Sequence, residues 1–223
     1  MISAPSPAAA RPVLGSSPRL ERLKAMPRRP GVASFFFYDS HFRSEAVKVL
    51  PGEHFVFDEE ILILTTLGSC IAACIWDRER RIGGMNHFML PEGGAGGDGG
   101  GRYGSYAMEL LINELIKRGA TRSTMEAKVF GGGAVISGMN SINVGERNTK
   151  FVLDYLHTER ITVVSKDVMD IYPRKVCFLP VSGKAMVKRL ASTNTEMLVA
   201  QERAASRAAA APAQTGGGSV DLF

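Results

Sequence analysis

At 223 residues the chain has the length of one domain, with enough sequence to bury a sizeable core. Its formal charge of +5 sits in the leader: within residues 1–30, Arg11, Arg19, Arg22, Lys24, Arg28 and Arg29 face only Glu21. The remainder is balanced, which argues against a nucleic-acid-binding face. No apolar run approaches the ~20 residues of a membrane helix, and Arg11, Pro12 and Arg19 break any secretory-type apolar stretch. Three cysteines, Cys70, Cys74 and Cys177, are an odd count, so a disulfide framework is not expected and a reducing, cytoplasmic setting is.

In chain order, residues 1–33 read as a disordered basic leader. Strands are expected at Glu45 to Leu50, Phe55 to Phe57 and Ile61 to Thr66. Ile71 to Trp76 and Ile82 to Leu90 then flank the charged run Asp77 to Arg81, the pattern of a β-hairpin. Glu92 to Gly101 holds seven glycines in ten residues and reads as a mobile loop, with Gly93 to Gly101 a candidate lid over a site. Tyr103 to Arg118 has the apolar spacing of an amphipathic helix stopped by Gly119. Thr124 to Phe130 is a strand ending in Gly131-Gly132-Gly133, a tight turn that permits close backbone packing. Arg147 to His157 reads as a second helix, and Ile161 to Ser165, Lys175 to Leu179 and Lys184 to Leu190 as closing strands. Residues 200–223 read as a disordered tail whose last residues, Ser219 to Phe223, suit a docking peptide on a flexible tether. Mixed strands with two helices suggest an α/β sandwich.

Cys70 and His87 are the pair with chemistry. With the hairpin turn centred between Arg78 and Glu79, Cys70 falls opposite His87 and Cys74 opposite Gly83, close enough for a thiol to meet an imidazole. A Cys–His contact is the minimum for an activated nucleophile. Gly68 and Ser69 allow a sharp turn that exposes backbone N–H groups, the material of an oxyanion hole. Gly83 and Gly84 remove side chains and would leave room for a substrate. Cys70, Cys74 and His87 lack the further Cys/His pair of a structural zinc site. Gly131-Gly132-Gly133 lacks the lysine and hydroxyl of a phosphate loop.

Leu67-Gly68-Ser69-Cys70 and Gly84-Met85-Asn86-His87-Phe88-Met89-Leu90-Pro91 resemble the signature of the CheD family, the chemoreceptor glutamine deamidases of bacterial chemotaxis. The likeness continues through Arg102-Tyr103-Gly104, Ala127 to Gly133 and Asn143 to Asn148, and covers about Ala46 to Leu190. The resemblance implies a layered α/β/β sandwich of cysteine-hydrolase type, with a deamidase domain over residues 34–199. It implies that Cys70 is the nucleophile and His87 the base, with the amides of Gly68, Ser69 and Cys70 holding the oxyanion. A thiolate lowered in pKa by His87 would then attack a glutamine carboxamide and release ammonia. The family's third catalytic residue is a threonine; the position at its spacing is Leu64, and threonines follow at Thr65 and Thr66. No cofactor or metal is expected. The implied substrates are methyl-accepting chemotaxis receptors, and an implied partner is a CheC-type phosphatase, which leaves a weakly active adaptor as the alternative to an enzyme. Neither nucleic acid nor membrane insertion is expected.

Overall fold

The computed structural model describes residues 17–90, 99–135, 141–191, 198, 200–202 and 204. The helix α1 spans Pro18–Lys24 and the strands run β1 Phe35–Asp39, β2 Ser44–Lys48, β3 His54–Phe57, β4 Leu62–Leu67, β5 Ile71–Asp77 and β6 Ile82–Asn86. Then come α2 Gly99–Lys117, β7 Met125–Gly131, α3 Ser141–Thr158, β8 Thr162–Val168, β9 Arg174–Phe178 and β10 Ala185–Arg189. The strands form two five-stranded sheets, ordered β1-β2-β4-β9-β10 and β3-β6-β5-β7-β8. Each is mixed: β2–β4 and β7–β8 pair parallel and the other neighbours antiparallel.

The layers follow from which face of each strand is apolar. On β5, Ile71, Ala73 and Ile75 face one way and pack with Met108, Leu111, Ile112 and Leu115 of α2 and Val152 and Leu156 of α3. Ala72 and Cys74, together with Cys70, face the other way, toward Ile63, Leu67, Val176 and Phe178 of the second sheet. Side chains that alternate on a strand thereby serve two cores, which is why β5 reads as a continuous apolar run. The result is the expected α/β/β layering, with two principal helices on one sheet.

Several expectations change. Residues 17–33 are not a disordered leader. Ser17 caps α1 by accepting from Leu20 N at 3.0 Å, and its hydroxyl donates to Glu45 at 2.6 Å. Leu20 and Leu23 are buried, and Leu23 joins the core between the sheets. Three of the basic residues that suggested disorder, Arg19, Arg22 and Lys24, lie on this short helix, with Arg19 and Arg22 paired to Glu59. Strand β1 lies in a segment with no expected strand, and α3 begins before Arg147. Gly99 to Gly101, assigned to the candidate lid, form the first turn of α2; the rest of that glycine-rich run, 92–98, lies outside the described residues. So does the docking peptide at 219–223.

Gly83 and Gly84 do not leave space for a substrate. A side-chain carbon on Gly83 would come within 2.7 Å of Pro180 O, and one on Gly84 within 2.6 Å of Phe55 O and 2.9 Å of Leu111. Their missing side chains are filled by the protein itself.

Removing buried methyl groups where α1 meets the core tests the ordered leader. Leu23→Ala should lower unfolding stability by ~2–5 kcal/mol in urea titrations, the range for a buried leucine. A flexible leader would give almost no change.

Candidate active site

Between β4 and β5 the chain leaves one sheet and joins the other, and the crossing is Gly68-Ser69-Cys70. No ladder claims the backbone there, so its polar groups need other partners. The three carbonyls are tied outward: Gly68 O accepts from Gly133 N and Cys70 O from Gly132 N, both at 2.8 Å, and Ser69 O accepts from the Asn148 side-chain amide at 2.9 Å. Gly131 makes the approach feasible. Its φ is +112°, and a side chain there would collide with Cys70 O. The sequence reading of the three glycines as a close-packing turn describes what they do.

With the carbonyls fixed outward, the three N–H groups converge on one point. The Glu202 carboxylate occupies it. Its Oε1 accepts from Gly68 N at 2.7 Å and Cys70 N at 3.2 Å, and its Oε2 from Ser69 N at 3.0 Å and the Ser69 hydroxyl at 2.8 Å. Residues 198, 200–202 and 204 are helical, and Glu202 is only 3 % exposed. Glu202 was missed by the sequence reading, which placed it in a disordered tail. A polar, alanine-rich segment carries no periodic signal, and nothing local announces a carboxylate bound 132 residues back along the chain at Cys70.

Cys70 and His87 meet, but not as directly opposed residues. The hairpin pairs Cys74 with Met85 and Asp77 with Ile82, and an isolated bridge joins Ile71 to Phe88. The turn is therefore centred between Glu79 and Arg80, and the partner of every β5 residue moves two places along. An even shift keeps side chains on their original face, so His87 still reaches Cys70 on the diagonal. Asn86 interrupts the ladder just before it: its side-chain oxygen, not its backbone, accepts from Ala73 N at 3.0 Å. His87 is instead held through its backbone, which accepts from Gly52 N at 2.7 Å and donates to Glu53 O at 2.9 Å.

The hydroxyl that meets the imidazole is that of Thr65. Strand alternation puts Leu64 on the outer face of its sheet with Ala46, Leu62 and Cys177, and turns Thr65 inward. Thr66, also outward and half-buried, pairs with Lys175. The Thr65 hydroxyl has one proton and donates it to Val49 O at 2.7 Å. Its 2.8 Å contact with His87 Nδ1 must then have the imidazole as donor. This fixes the tautomer: Nδ1 carries the proton and Nε2 the lone pair. Nε2 is buried without a hydrogen-bond partner among the described residues. A His87 ring nitrogen, Cys70 Sγ and a Glu202 oxygen lie within 4.8 Å of one another.

The electrostatics differ from the expected thiolate–imidazolium pair. Cys70 is fully buried, and burial pushes its thiol well above the usual range, with the Glu202 carboxylate adding to the rise. Burial also draws His87 down to about 4 against the opposing pull of Glu202. At neutral pH in this arrangement, the pair is a thiol beside a neutral imidazole, because little water remains to solvate either charge.

Cys, His and Glu are types that zinc accepts. The four lone-pair positions of the carboxylate, however, are already taken by four donors. That is the environment of a bound anion. Cys74 pairs with Met85 in the inter-sheet core and does not join the cluster.

Nitrogen NMR should find His87 neutral and Nδ1-protonated from neutral pH down to about 4. Thr65→Val should release the other tautomer, whereas Thr66→Val should not. Stability carries the same signature. Because burial depresses the His87 pKa below the 6.5 of an exposed histidine, the unfolded chain takes up its proton first. This contribution is whole above about 6.5 and is lost as pH falls toward about 4. His54, also lowered by burial, adds in the same direction. Urea midpoints should fall across that window, and less steeply in His87→Asn.

A family model described as CheD chemotactic sensory transduction matches residues 89–189, a span that begins just after His87 and includes neither it nor Cys70. A protein of Albidiferax ferrireducens named probable chemoreceptor glutamine deamidase CheD 1 is 65% identical over 209 residues, covering 94% of this chain and 88% of that protein. Proteins named probable chemoreceptor glutamine deamidase CheD match from Thiobacillus denitrificans, at 50% over 86% of this chain and 96% of its own length, and from a Janthinobacterium species, at 51% over 77% and 86%. Among solved structures, a Bacillus licheniformis hypothetical protein, YfiH, aligns at a TM-score of 0.34 with 12% identity over 53% of this chain and 49% of that one. That likeness is too slight to bear on fold or chemistry. Identities of this size across nearly the whole chain leave one assignment: the chain belongs to the CheD family.

Proposed function

We infer that the protein is a protein-glutamine deamidase that converts glutamine side chains of methyl-accepting chemoreceptors to glutamate, with release of ammonia. The observation that carries this reading is the convergence of the Gly68, Ser69 and Cys70 amides on one point beside the Cys70 thiol and the free Nε2 of His87. A carboxamide with its oxygen where Glu202 Oε1 sits would accept from Gly68 N and Cys70 N and present its carbon to sulfur. Each such donor contributes ~2.7–4 kcal/mol when charge develops on the oxygen.

Since the thiol is protonated at rest, activation runs through His87 as general base, not through a standing thiolate. Nε2 takes the proton of Cys70 Sγ as the C–S bond forms, then delivers it to the departing ammonia. A water molecule, deprotonated by the same nitrogen, hydrolyses the thioester to glutamate and returns the thiol. Thr65 holds the imidazole in the tautomer these transfers need, and the Val49 carbonyl holds Thr65.

The same family resemblance implies a CheC-type phosphatase as a binding partner and the cytoplasm as the setting. Among the described residues no helix is long and apolar enough to cross a membrane. An inactive adaptor has less support, because the hydroxyl absent at position 64 is supplied by Thr65.

Ammonia release from purified receptor cytoplasmic fragments tests the reading. Cys70→Ala should abolish it and His87→Ala should reduce it by ~10²-fold or more, the scale of a positioned proton-transfer group. Thr65→Val should slow it, and Thr66→Val should leave it near wild type. Unchanged turnover in a folded Cys70→Ala variant would end the assignment.

A further inference from the structure

The chain supplies its own occupant for the oxyanion site. We propose that the helical segment carrying Glu202 is an intramolecular product analogue: its side chain sits where the glutamate formed by the reaction would sit, so the segment competes with external substrate. The inference rests on the deamidase reading and deepens it.

The carboxylate meets the site as a reaction product would. Each of its oxygens is shared between donors of the Gly68–Cys70 crossing, and one lies close to both Cys70 Sγ and His87. A packing carboxylate would need only a partner or two at the surface. Glu202 instead has every lone-pair position filled and is 3 % exposed. Gly68 is shaped for this approach, since a side-chain carbon there would lie 2.9 Å from Glu202 Oε2. A glutamate and a glutamine side chain have the same length and branching. A carboxamide fits the same space with its oxygen at the Oε1 position, accepting from Gly68 N and Cys70 N; its nitrogen then lies at the Oε2 position, where the Ser69 hydroxyl can turn to accept and the Ser69 N–H loses its acceptor.

That equivalence gives a test that needs no receptor. In Glu202→Gln the protein should deamidate itself. Cys70 Sγ bonds to the carbon of the introduced carboxamide, the C–N bond breaks, and ammonia leaves with the proton held by His87. Water then cleaves the C–S bond to regenerate the thiol and a glutamate at 202. Mass spectrometry of the peptide containing residue 202 should show glutamate in purified Glu202→Gln and unaltered glutamine in Glu202→Gln/Cys70→Ala. Occupancy has its own readout: iodoacetamide should alkylate Cys70 ~10-fold faster or more in Glu202→Ala, since a tethered group acts at high effective concentration.

Conversion at 202 together with faster alkylation supports the proposal. An introduced glutamine that persists, in a protein whose wild-type form releases ammonia from receptor fragments, overturns it and leaves the deamidase reading standing. Equal alkylation of wild type and Glu202→Ala overturns it as well. Absence of ammonia release from receptor fragments by the wild type, with the introduced glutamine also unaltered, overturns both.

Discussion

Everything at the site depends on three amides that have no sheet to belong to. Where β4 ends in one sheet and β5 starts in the other, the backbone of Gly68, Ser69 and Cys70 must find partners outside the ladders. The carbonyl side is satisfied by Gly132, Gly133 and Asn148, drawn from the end of β7 and from α3. Once those three bonds are made, the N–H side has one direction left. The anion site is therefore a by-product of how two sheets are joined, and is preorganised because moving it would unmake the junction. Asn148 does this twice over, since its oxygen also accepts from Leu90 N at 3.0 Å. One side chain thus links the Gly68–Cys70 crossing to the segment just past His87.

The imidazole is held by a comparably short chain of bonds: Val49 carbonyl, Thr65 hydroxyl, His87 Nδ1. Two sheets contribute to it, with Thr65 on β4 and His87 just beyond β6. Sheet packing therefore sets the distance between His87 and Cys70, and the tautomer follows from a single hydroxyl proton. A valine of the same shape preserves the packing and loses only the proton bookkeeping.

Much of this was legible in the residues, for physical reasons that differ from place to place. The central strands and both principal helices show their periods because each buries a defined face. The Cys–His meeting survived an error in the turn because the error was even. A slip of one would have sent His87 to the helix layer with Ile71 and Ile75. Thr65 could be told from Leu64 and Thr66 only by knowing which face of β4 looks inward, and a three-way apolar and hydroxyl run hides that. Gly83 and Gly84 were misread because a missing side chain marks close approach without saying what approaches. Leu20 and Leu23 lay in a basic, proline-containing leader whose composition outweighed two well-spaced leucines. Glu202 had no local signal: its meaning lies wholly in what the fold brings to it.

The placement of Glu202 also bears on how long the Cys70 thiol survives. Peroxides attack thiolate far faster than thiol, and they need to reach the sulfur. Cys70 is shielded on both counts, by burial and by a raised pKa to which the neighbouring carboxylate contributes. On the proposed competition with substrate, oxidative damage is confined to the moments when that carboxylate has left and the sulfur is uncovered. A cell under oxidant stress would lose this activity in proportion to how often the enzyme is used, not to how much of it is present.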